Sequence, residues 1–483
     1  MHVAVVGGGI GGMAAALFLA RRGHDVTVFE REGERAARRP TSAEFFDWPR
    51  PGVPQAVQPH SLLAPVRTVL REEAPDVYAQ MLQAGSREHH EFDCFSSHPP
   101  ARPGDADLIT VRSRRILLEA ALADAMAKQN GISLRLGDPV TGLEVTWPNN
   151  DRTGGTDGTA QDVPHVTAVR TAHGVHHADL VLDCAGRRSP IPGLLADAGT
   201  RPPVVESHRT GIAYLCRWYR LRGPSPEVGG MRLSSVSAFA SALVFPSDGD
   251  VFAIALMVPT LDPTRGALRD PAVFEAVARL FPTAAAWLAA DPEPLSRVYA
   301  MAGLDNRWTS LVDGGGPVVT GLIGVGDSVT HTNPTLGQGC SLALREAEWV
   351  AGHAGEATED PEGFARRHHS WAQATLRPWF DIQVAADKSL AGSLGVAPEN
   401  EAPSPAVLER AARAACAFED PVVMRARSRV RHLIELPEQA YGTDEVRSHV
   451  ARWLADRDGR VPPPDGPSRA AWEAAASRPA AVH

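Results

Sequence analysis

The amino-acid sequence predicts an α/β (α+β) chain with a parallel sheet near its start, an antiparallel sheet in its middle and a helical C-terminal region. Three observations predict this order. A β-branched run, a glycine cluster and an Ala-rich apolar stretch open the chain. Between residues 210 and 259, short runs of Val, Ile, Phe and Tyr alternate with turn residues. From residue 362 onward the spacing of apolar residues is mainly helical.

The first element is a strand–turn–helix–strand unit with a glycine-rich turn. A strand over His2–Val6 leads into Gly7-Gly8-Gly9-Ile10-Gly11-Gly12, and a helix follows. Gly7 permits the tight turn, Gly9 lets the backbone approach a pyrophosphate, and Gly12 lets the helix pack closely on the strand. Glu30 ends the second strand, where it can accept hydrogen bonds from a ribose diol and would repel a 2′-phosphate. The unit is therefore of Rossmann type and predicts a site for FAD or NAD.

The elements that follow are predicted from apolar periodicity and turn residues. Helical spacing covers 53–85, 111–128 and 341–352, and strand character covers 132–136, 140–147, 165–171, 179–183 and 318–325. The polar, Gly-rich stretch 148–164 predicts a hairpin connection, and residues 247–250 predict a turn between two strands of the antiparallel sheet.

A second glycine-rich turn distinguishes FAD from NAD. The strand over 318–325 delivers Gly326 and Asp327 to this turn, which ends near Gly339 at the start of a helix. A carboxylate there can bind a polyol hydroxyl, and small residues let backbone amides approach a flat ring. The N-terminus of the helix would also stabilise negative charge on the edge of that ring. We therefore expect FAD as the cofactor.

With these motifs in view, the sequence resembles the group A flavoprotein monooxygenases, which have the para-hydroxybenzoate hydroxylase-like fold. That family carries a Gly-Asp pair, a Pro seven residues after the Asp, and then Gly-x-Gly. Asp327, Pro334, Gly337 and Gly339 match this spacing. The resemblance implies that Asp327 contacts the ribityl chain of FAD and that Pro334 to Gly339, including Gln338, line the isoalloxazine ring.

Two further matches concern the flavin and its reductant. Arg114-Arg115 precedes Leu118-Glu119 where the family places a flavin-contacting arginine, and the spacing favours Arg115 over Arg114. The run 183–189 stands where the family has an Asp-Gly pair linked to FAD and NADPH, but here Ala185-Gly186 replaces that pair. The electron source therefore stays open between NAD(P)H bound directly and a separate flavin reductase.

Within the family, the sequence is most similar to a bacterial natural-product group that includes polyether epoxidases. The similar residues are the run 51–55, His60, the run TNPTLGQG and Trp379 ahead of Asp387. By this resemblance Gln55 and His60 face the flavin ring, and His331 protonates a peroxide or binds substrate. The alternative for each is a local structural role, such as capping a helix or binding the backbone.

The resemblance implies an FAD-dependent monooxygenase. Reduced flavin would react with O2 to give a C4a-hydroperoxide, which hydroxylates or epoxidises a bulky, largely apolar small molecule in secondary metabolism. Aromatic residues of the antiparallel sheet, among them Tyr214 and Trp218, predict an apolar pocket. One alternative is an FAD-dependent dehydrogenase or reductase that inserts no oxygen. A flavin-dependent halogenase would require a WxWxIP signature, which the sequence lacks, and a non-enzymatic binding protein would not need the Asp327 turn.

These expectations divide the chain into three regions. Residues 1–200 and 290–355 form a discontinuous FAD-binding domain, with 50–110 partly in the substrate region. Residues 201–289 form the β-sheet substrate domain, and residues 356–483 form the helical C-terminal region with a frayed tail from about 461.

Composition argues against several other classes. A net charge of −9 gives no electrostatic footprint for nucleic acid. The five cysteines include no CxxC pair, and the three His pairs lack metal-ligand spacing, so we expect reduced thiols and no metal. No apolar run approaches the roughly 20 residues of a membrane span. We therefore expect a cytoplasmic protein.

Overall fold

The computed structural model describes residues 1–33, 44–48, 50–148, 163–226, 232–394 and 405–477. The strands are β1 His2–Val6, β2 Asp25–Glu30, β3 Arg87–His90, β4 Ile109–Arg112, β5 Ile132–Leu136, β6 Gly142–Thr146, β7 His165–Thr171, β8 Gly174–His177, β9 Leu180–Asp183, β10 Val204–Arg209, β11 Ile212–Arg220, β12 Ser234–Val236, β13 Ser241–Pro246, β14 Val251–Pro259, β15 Glu293–Pro294, β16 Tyr299–Met301, β17 Asp305–Ser310, β18 Val312–Asp313, β19 Gly316–Pro317, β20 Leu322–Gly324 and β21 Thr330–His331.

The α-helices are α1 Ile10–Arg21, α2 Ala64–Glu73, α3 Pro75–Gln83, α4 Arg115–Lys128, α5 Ile191–Asp197, α6 Pro271–Ala278, α7 Pro282–Ala289, α8 Gly339–His353, α9 Glu356–Glu359, α10 Pro361–Thr375, α11 Arg377–Leu394, α12 Pro405–Cys416, α13 Pro421–Arg431, α14 Pro437–Tyr441, α15 Asp444–Ala455 and α16 Arg469–Ala476.

The predicted Rossmann-type sheet is confirmed. Its strand order is β20-β9-β1-β2-β5, and all neighbouring strands are parallel. Helices α1, α4 and α8 contribute to a core with the inward side chains of β1 and β2, such as Val5 and Val28. Because parallel strands end at one edge of a sheet, the turns after β1, β9 and β20 lie side by side. Backbone N–H groups of Cys184 and Val325 donate across these ends to Val6 and Asp183.

Two of the predicted helices start later than expected. The helix predicted over 53–85 is a pair, α2 and α3, and residues 53–63 are not helical. Pro54 and Pro59 disfavour a helix in the first part, and Pro75 ends α2 because the residue before a proline avoids helical geometry. The helix predicted over 111–128 begins at Arg115, since the β-branched run before it pairs with β3 as the strand β4.

The predicted antiparallel sheet is also confirmed. Its order is β12-β13-β14-β11-β15, with β16 also paired to β11, and residues 247–250 join β13 to β14 as expected. One face of this sheet packs against α6 and α7 around buried side chains such as Phe252 and Trp287. The opposite face turns toward the second glycine-rich turn.

Strands beyond residues 201–289 also join this sheet. The short strands β15 and β16 pair with β11, although the sequence placed residues from 290 onward with the parallel sheet. Conversely, β10 lies within the predicted substrate domain but outside this sheet, since it pairs with β17, which also pairs with β21. The hairpin connection predicted at 148–164 lies largely outside the described residues.

The C-terminal region is helical as predicted, but its tail is not frayed throughout. Helices α12 to α15 enclose a core of their own with Phe92 and Leu108. Beyond them, α16 docks on the antiparallel sheet, where Trp472 is fully buried and packs edge-on against Phe239 and Phe281. The Trp472 indole N–H donates to Thr264 at 2.7 Å. The Pro- and Ala-rich composition of this tail predicted a frayed end, because it does not show that Trp472 would be buried against the sheet.

Among the residues that the structure describes, no single helix is long and apolar enough to cross a membrane. Only α6 and α7 together meet that length and composition, across a bend of 117°.

Candidate functional site

The first glycine-rich turn lies at the carboxyl end of β1. Gly7 has a φ of +110°, and a Cβ there would come within 2.5 Å of the Cys184 carbonyl oxygen. A Cβ on Gly12 would collide with the Gly7 carbonyl, so α1 approaches the strand as the motif requires. A Cβ on Gly9, at the N-terminus of α1, would meet no atom within 4 Å. This open space before free backbone N–H groups fits a pyrophosphate.

Glu30 lies beside this turn, at the end of β2. Its side chain is buried, with Oε2 accepting a hydrogen bond from Gly8 N at 2.7 Å and Oε1 accepting one from Glu32 N at 2.9 Å. These bonds fix the carboxylate without using all of its lone pairs. Glu30 can therefore hold the turn and still accept from a ribose hydroxyl.

The second glycine-rich turn, residues 326–339, follows β20, and we name it the flavin turn. Gly326 has a φ of +71° and Gly337 a φ of +70°. A Cβ on Gly337 would lie 2.7 Å from Ser61 Cβ, and one on Gly339 would lie 3.8 Å from Asp327 Oδ1. Pro334 opens a short 3-10 turn, and Gln338 is the residue just before α8. The predicted ligand residues of this motif are therefore gathered in one compact loop.

Asp327 and His331 form a pair within the flavin turn. Asp327 Oδ2 lies 3.1 Å from His331 Nδ1. Burial alone would raise the pKa of Asp327, but the hydrogen bond and charge of His331, together with Arg115 and His60, outweigh burial and lower it. The ionised carboxylate can only accept, so His331 Nδ1 donates and Nε2 stays free. That Nε2 is shielded from solvent and has no hydrogen-bond partner within the described part of the chain.

Arg115 and Arg114 lie at the start of α4 but have different surroundings. Arg115 Nε donates to Glu119 Oε1 at 2.6 Å, and Glu119 in turn accepts from Arg50. Burial would lower the pKa of Arg115, but the Glu119 carboxylate outweighs it and the net shift is upward, with a further contribution from Asp327. Arg114, by contrast, directs its guanidinium to Asp248 of the antiparallel sheet, with NH2 to Oδ2 at 2.6 Å. Arg115 thus pairs with Glu119 near enough to Asp327 for the two charges to interact, whereas Arg114 joins the start of α4 to the antiparallel sheet.

His60 and Gln55 lie on the segment that precedes α2. His60 Nδ1 is 2.9 Å from the Gln58 carbonyl, and Gln58 N donates to the Gln55 carbonyl. Burial, followed by the charge of Arg115, lowers the pKa of His60 to about 4, so the ring is neutral near pH 7. Trp218 Nε1 donates to Val57 O at 2.8 Å, which ties the segment to the antiparallel sheet. His60 thus lies near enough to Arg115 and Asp327 for their charges to act on its pKa, whereas Gln55 accepts a hydrogen bond from Gln58 through its backbone carbonyl and its place at the flavin ring stays a prediction.

Asp183 and Arg187, in the run 183–189, are paired with other groups of the protein. Asp183 accepts from Ala185 N at 3.1 Å and from Ser189 Oγ at 2.6 Å, and burial raises its pKa to about 6. Arg187 Nε lies 2.8 Å from Asp305 Oδ1. Both charged groups therefore have partners inside the protein.

Several polar atoms of the flavin turn and the start of α8 are buried without a hydrogen-bond partner among the described residues. They are Thr330 Oγ1, His331 Nε2, Thr332 Oγ1, Gln338 Oε1 and Ser341 Oγ. Leaving such a group unpaired costs about 1–3 kcal/mol. A polar ligand in this turn would relieve that cost, and the ring edge and ribityl hydroxyls of FAD offer suitable partners. Together with the open space at Gly9, these atoms show that the residues present fit FAD.

Sequence reasoning missed one residue that supports the flavin turn. Glu346, fully buried on α8, accepts from Gly326 N at 2.6 Å and lies 3.2 Å from His368 Nε2. The only signal was a charged residue on the apolar face of a predicted helix, which does not identify its partner.

Residues 2–93 match a family model described as FAD dependent oxidoreductase. The chain is an FAD-dependent oxidoreductase. The matched segment contains the first glycine-rich turn, Glu30 and His60. This match and the geometry of the two glycine-rich turns support FAD as the cofactor. Direct binding of NAD(P)H or a separate flavin reductase as the electron source stays a prediction.

The oxidoreductase is also similar to individual proteins of known sequence or structure. It is 25% identical to the Mycobacterium tuberculosis protein Rv3254 over 374 residues, which is 72% of this chain and 71% of that protein. PqsL of Pseudomonas aeruginosa, solved with 2-aminobenzoylacetate, superposes with a TM-score of 0.59 at 19% identity and covers 82% of this chain and 97% of PqsL. The flavin-dependent brominase Bmp2 gives 0.56 at 13% identity, covering 95% and 99%. At these identities the structures show a shared fold.

Proposed function

We propose that this oxidoreductase is a monooxygenase that inserts one oxygen atom from O2 into a bulky, largely apolar small molecule, by hydroxylation or epoxidation. The observation that carries the proposal is the apolar face that the antiparallel sheet turns toward the flavin turn. PqsL, which shares the fold, is named a probable FAD-dependent monooxygenase.

The strand register defines this face. Residues directly opposite in an antiparallel pair point to the same side, so Tyr214 of β11 shares a side with Met257 of β14 and Met301 of β16. Leu243 and Leu390 pack with the same cluster. The Tyr214 hydroxyl lies 2.9 Å from Asn333 Oδ1 in the flavin turn, which places the cluster beside that turn.

An apolar wall here serves oxygen insertion in two ways. It binds an apolar substrate by removing its surface from water, at about 25 cal/mol per Å² of area buried. It also keeps water from the reacting centre, so that the oxygen equivalent reaches the substrate and is not lost. Bound and reduced FAD supplies the activation of O2.

The charged residues of the site would handle protons and charge. Asp327 orients His331 so that its unpartnered Nε2 can hold or release a proton. Arg115 contributes a buried positive charge that interacts with Asp327 and would stabilise negative charge in the site. His60 is neutral near pH 7 because its pKa is about 4, so we propose that it accepts a hydrogen bond at Nε2.

Isotope incorporation tests this function. The FAD-loaded protein, reduced by NADPH, NADH or a flavin reductase in separate reactions, would be incubated under ¹⁸O₂ with a panel of polycyclic and polyene natural-product-like compounds. A product that gains one ¹⁸O atom supports the proposal and identifies the electron source. A product that loses two hydrogens and carries no label would instead indicate an FAD-dependent dehydrogenase.

A further inference from the structure

A buried polar network joins three separate parts of the chain. Tyr214 on β11 donates to Asn333 Oδ1 of the flavin turn at 2.9 Å, and Asn333 Nδ2 donates to Asp387 Oδ1 of α11 at 2.9 Å. All three residues are buried. The network therefore connects the apolar face of the antiparallel sheet, the flavin turn and a C-terminal helix.

The direction of each hydrogen bond in the network is determined. Asn333 Nδ2 also donates to Thr335 Oγ1 at 2.7 Å, which uses both of its hydrogens. Because Asn333 Oδ1 is only an acceptor, the Tyr214 hydroxyl must donate to it. The Thr335 hydroxyl then donates to the Tyr214 oxygen, 2.5 Å away. These three side chains form a closed ring with one consistent arrangement of donors.

Asp387 holds this ring in place. Its carboxylate accepts from Asn306 Nδ2 at 2.7 Å and from Gln383 Nε2 at 2.9 Å, in addition to Asn333. Within the described ranges, no cation lies within ion-pair distance of it. Asn306 Oδ1 accepts in turn from the backbone N–H of Asn333 at 2.6 Å. Both the backbone and the side chain of Asn333 are thus oriented from Asp387.

We propose that Asp387 is a positioning residue for the flavin. Through Asn333 it sets the place of the loop that lines the isoalloxazine ring, and through Tyr214 it fixes that loop relative to the substrate-facing sheet. A molecule that moves Tyr214 would therefore move the flavin turn. The inference rests on FAD binding and not on oxygen insertion.

The test is a double-mutant cycle read out on FAD itself. Asp387→Asn replaces one carboxylate oxygen with an NH2 group that faces amide donors, so at least one of the three hydrogen bonds that orient Asn333 and its neighbours Asn306 and Gln383 is lost. We expect the affinity for FAD to fall about tenfold and the visible absorbance bands of bound FAD to shift. Tyr214→Phe should give a smaller effect of the same kind. The double variant should bind FAD no more weakly than Asp387→Asn alone, because both changes act through Asn333.

A matched control lies on the same helix. Asp381 is exposed and pairs with Arg377, so Asp381→Asn removes a carboxylate from α11 without touching the network and should leave FAD affinity and spectrum unchanged. Thermal unfolding without FAD separates a loss of fold from a loss of positioning. Should Asp387→Asn not fold, Tyr214→Phe and Thr335→Val complete the cycle from the other end.

Additive losses in the cycle, or an unchanged spectrum and affinity in Asp387→Asn, would overturn the inference. Because no substrate is used, these outcomes are independent of the ¹⁸O experiment. A protein that binds FAD as expected but never incorporates oxygen would refute the proposed function alone.

Discussion

At the scale of single residues, charge pairing gives neighbouring side chains different surroundings. Arg114 and Arg115 are adjacent and chemically identical, yet one is paired with Asp248 and the other with Glu119. Their spacing from Glu119 favoured Arg115 in the sequence. Nothing in the sequence identified Asp248 as the partner of Arg114, because the two lie 134 positions apart.

The two arginines should respond differently to the same substitution. Arg115→Lys replaces a planar guanidinium, held by Glu119, with a point charge, and we expect the dissociation constant of FAD to rise about tenfold. Arg114→Lys breaks the fork to Asp248 and should cost about 2 kcal/mol of unfolding free energy, with FAD affinity changed by less than about twofold. FAD fluorescence titration and urea unfolding measure the two effects. Equal losses of FAD affinity in both variants would contradict the assignment.

His60 should make stability depend on pH. Its pKa in the folded protein is about 4, below its ordinary value of 6.5, so protonation favours the unfolded chain. The contribution is therefore fully present above pH 6.5 and is lost as the pH falls toward 4. At 1.36 kcal/mol per pKa unit it amounts to about 3 kcal/mol.

The comparison with His60→Gln isolates this contribution. Unfolding free energies at several pH values between 7 and 4 should fall less steeply for the variant, because Gln does not titrate. Parallel curves for the two proteins would show that His60 is not held neutral by the fold.

At the scale of elements, periodicity predicts local structure well and mutual contacts poorly. The strands β1 and β2 and the helix α1 form where the apolar spacing and the glycines place them. The predicted start of α4 was wrong because the β-branched residues before Arg115 form the strand β4. They do so because β3 pairs with them, and this pairing is not visible in the local sequence. The docking of α16 depends on Trp472 and on a surface that is remote in sequence, so composition suggested a frayed end.

Trp472 should be essential for the attachment of α16. Trp472→Ala removes a fully buried indole and its bond to Thr264, and we expect a loss of about 3–5 kcal/mol of unfolding free energy. FAD affinity should be retained, since α16 packs on the far face of the antiparallel sheet. Glu473→Gln, one position along and exposed, is the control and should change stability by less than about 0.5 kcal/mol. A small effect of Trp472→Ala would show that α16 does not support the sheet.

At the scale of the whole molecule, the C-terminal helices are joined to the first half of the chain by ion pairs. Arg425 Nε and NH2 each lie 2.9 Å from the Asp105 carboxylate, and NH2 also donates to Pro100 O. Glu91 contacts His432, Arg431 and Arg427, and these groups outweigh burial and hold its pKa well below the usual range. The fold class was predictable from the glycine turns and strand runs, but these distant pairings were not.

The buried ion pair Arg425–Asp105 should contribute more to the free energy of unfolding than the exposed pair Arg102–Glu445. Arg425→Met leaves the buried Asp105 carboxylate without its cation and should cost about 3–5 kcal/mol. Arg102 and Glu445 bridge the same two parts of the chain at the surface, so Arg102→Met should cost less than about 1 kcal/mol. Chemical unfolding of the two variants measures the difference. Similar losses in both would contradict the role given to Arg425.

The central prediction is that the two glycine-rich turns hold one FAD, and the visible absorbance spectrum of the purified protein tests it directly. We expect the absorbance bands of bound oxidised flavin, either in the protein as purified or after FAD has been added and unbound FAD removed. These bands should bleach on anaerobic reduction and return in air through a transient species distinct from both oxidised and reduced FAD. A protein that shows no flavin bands after FAD is added would contradict the prediction that the two turns bind FAD.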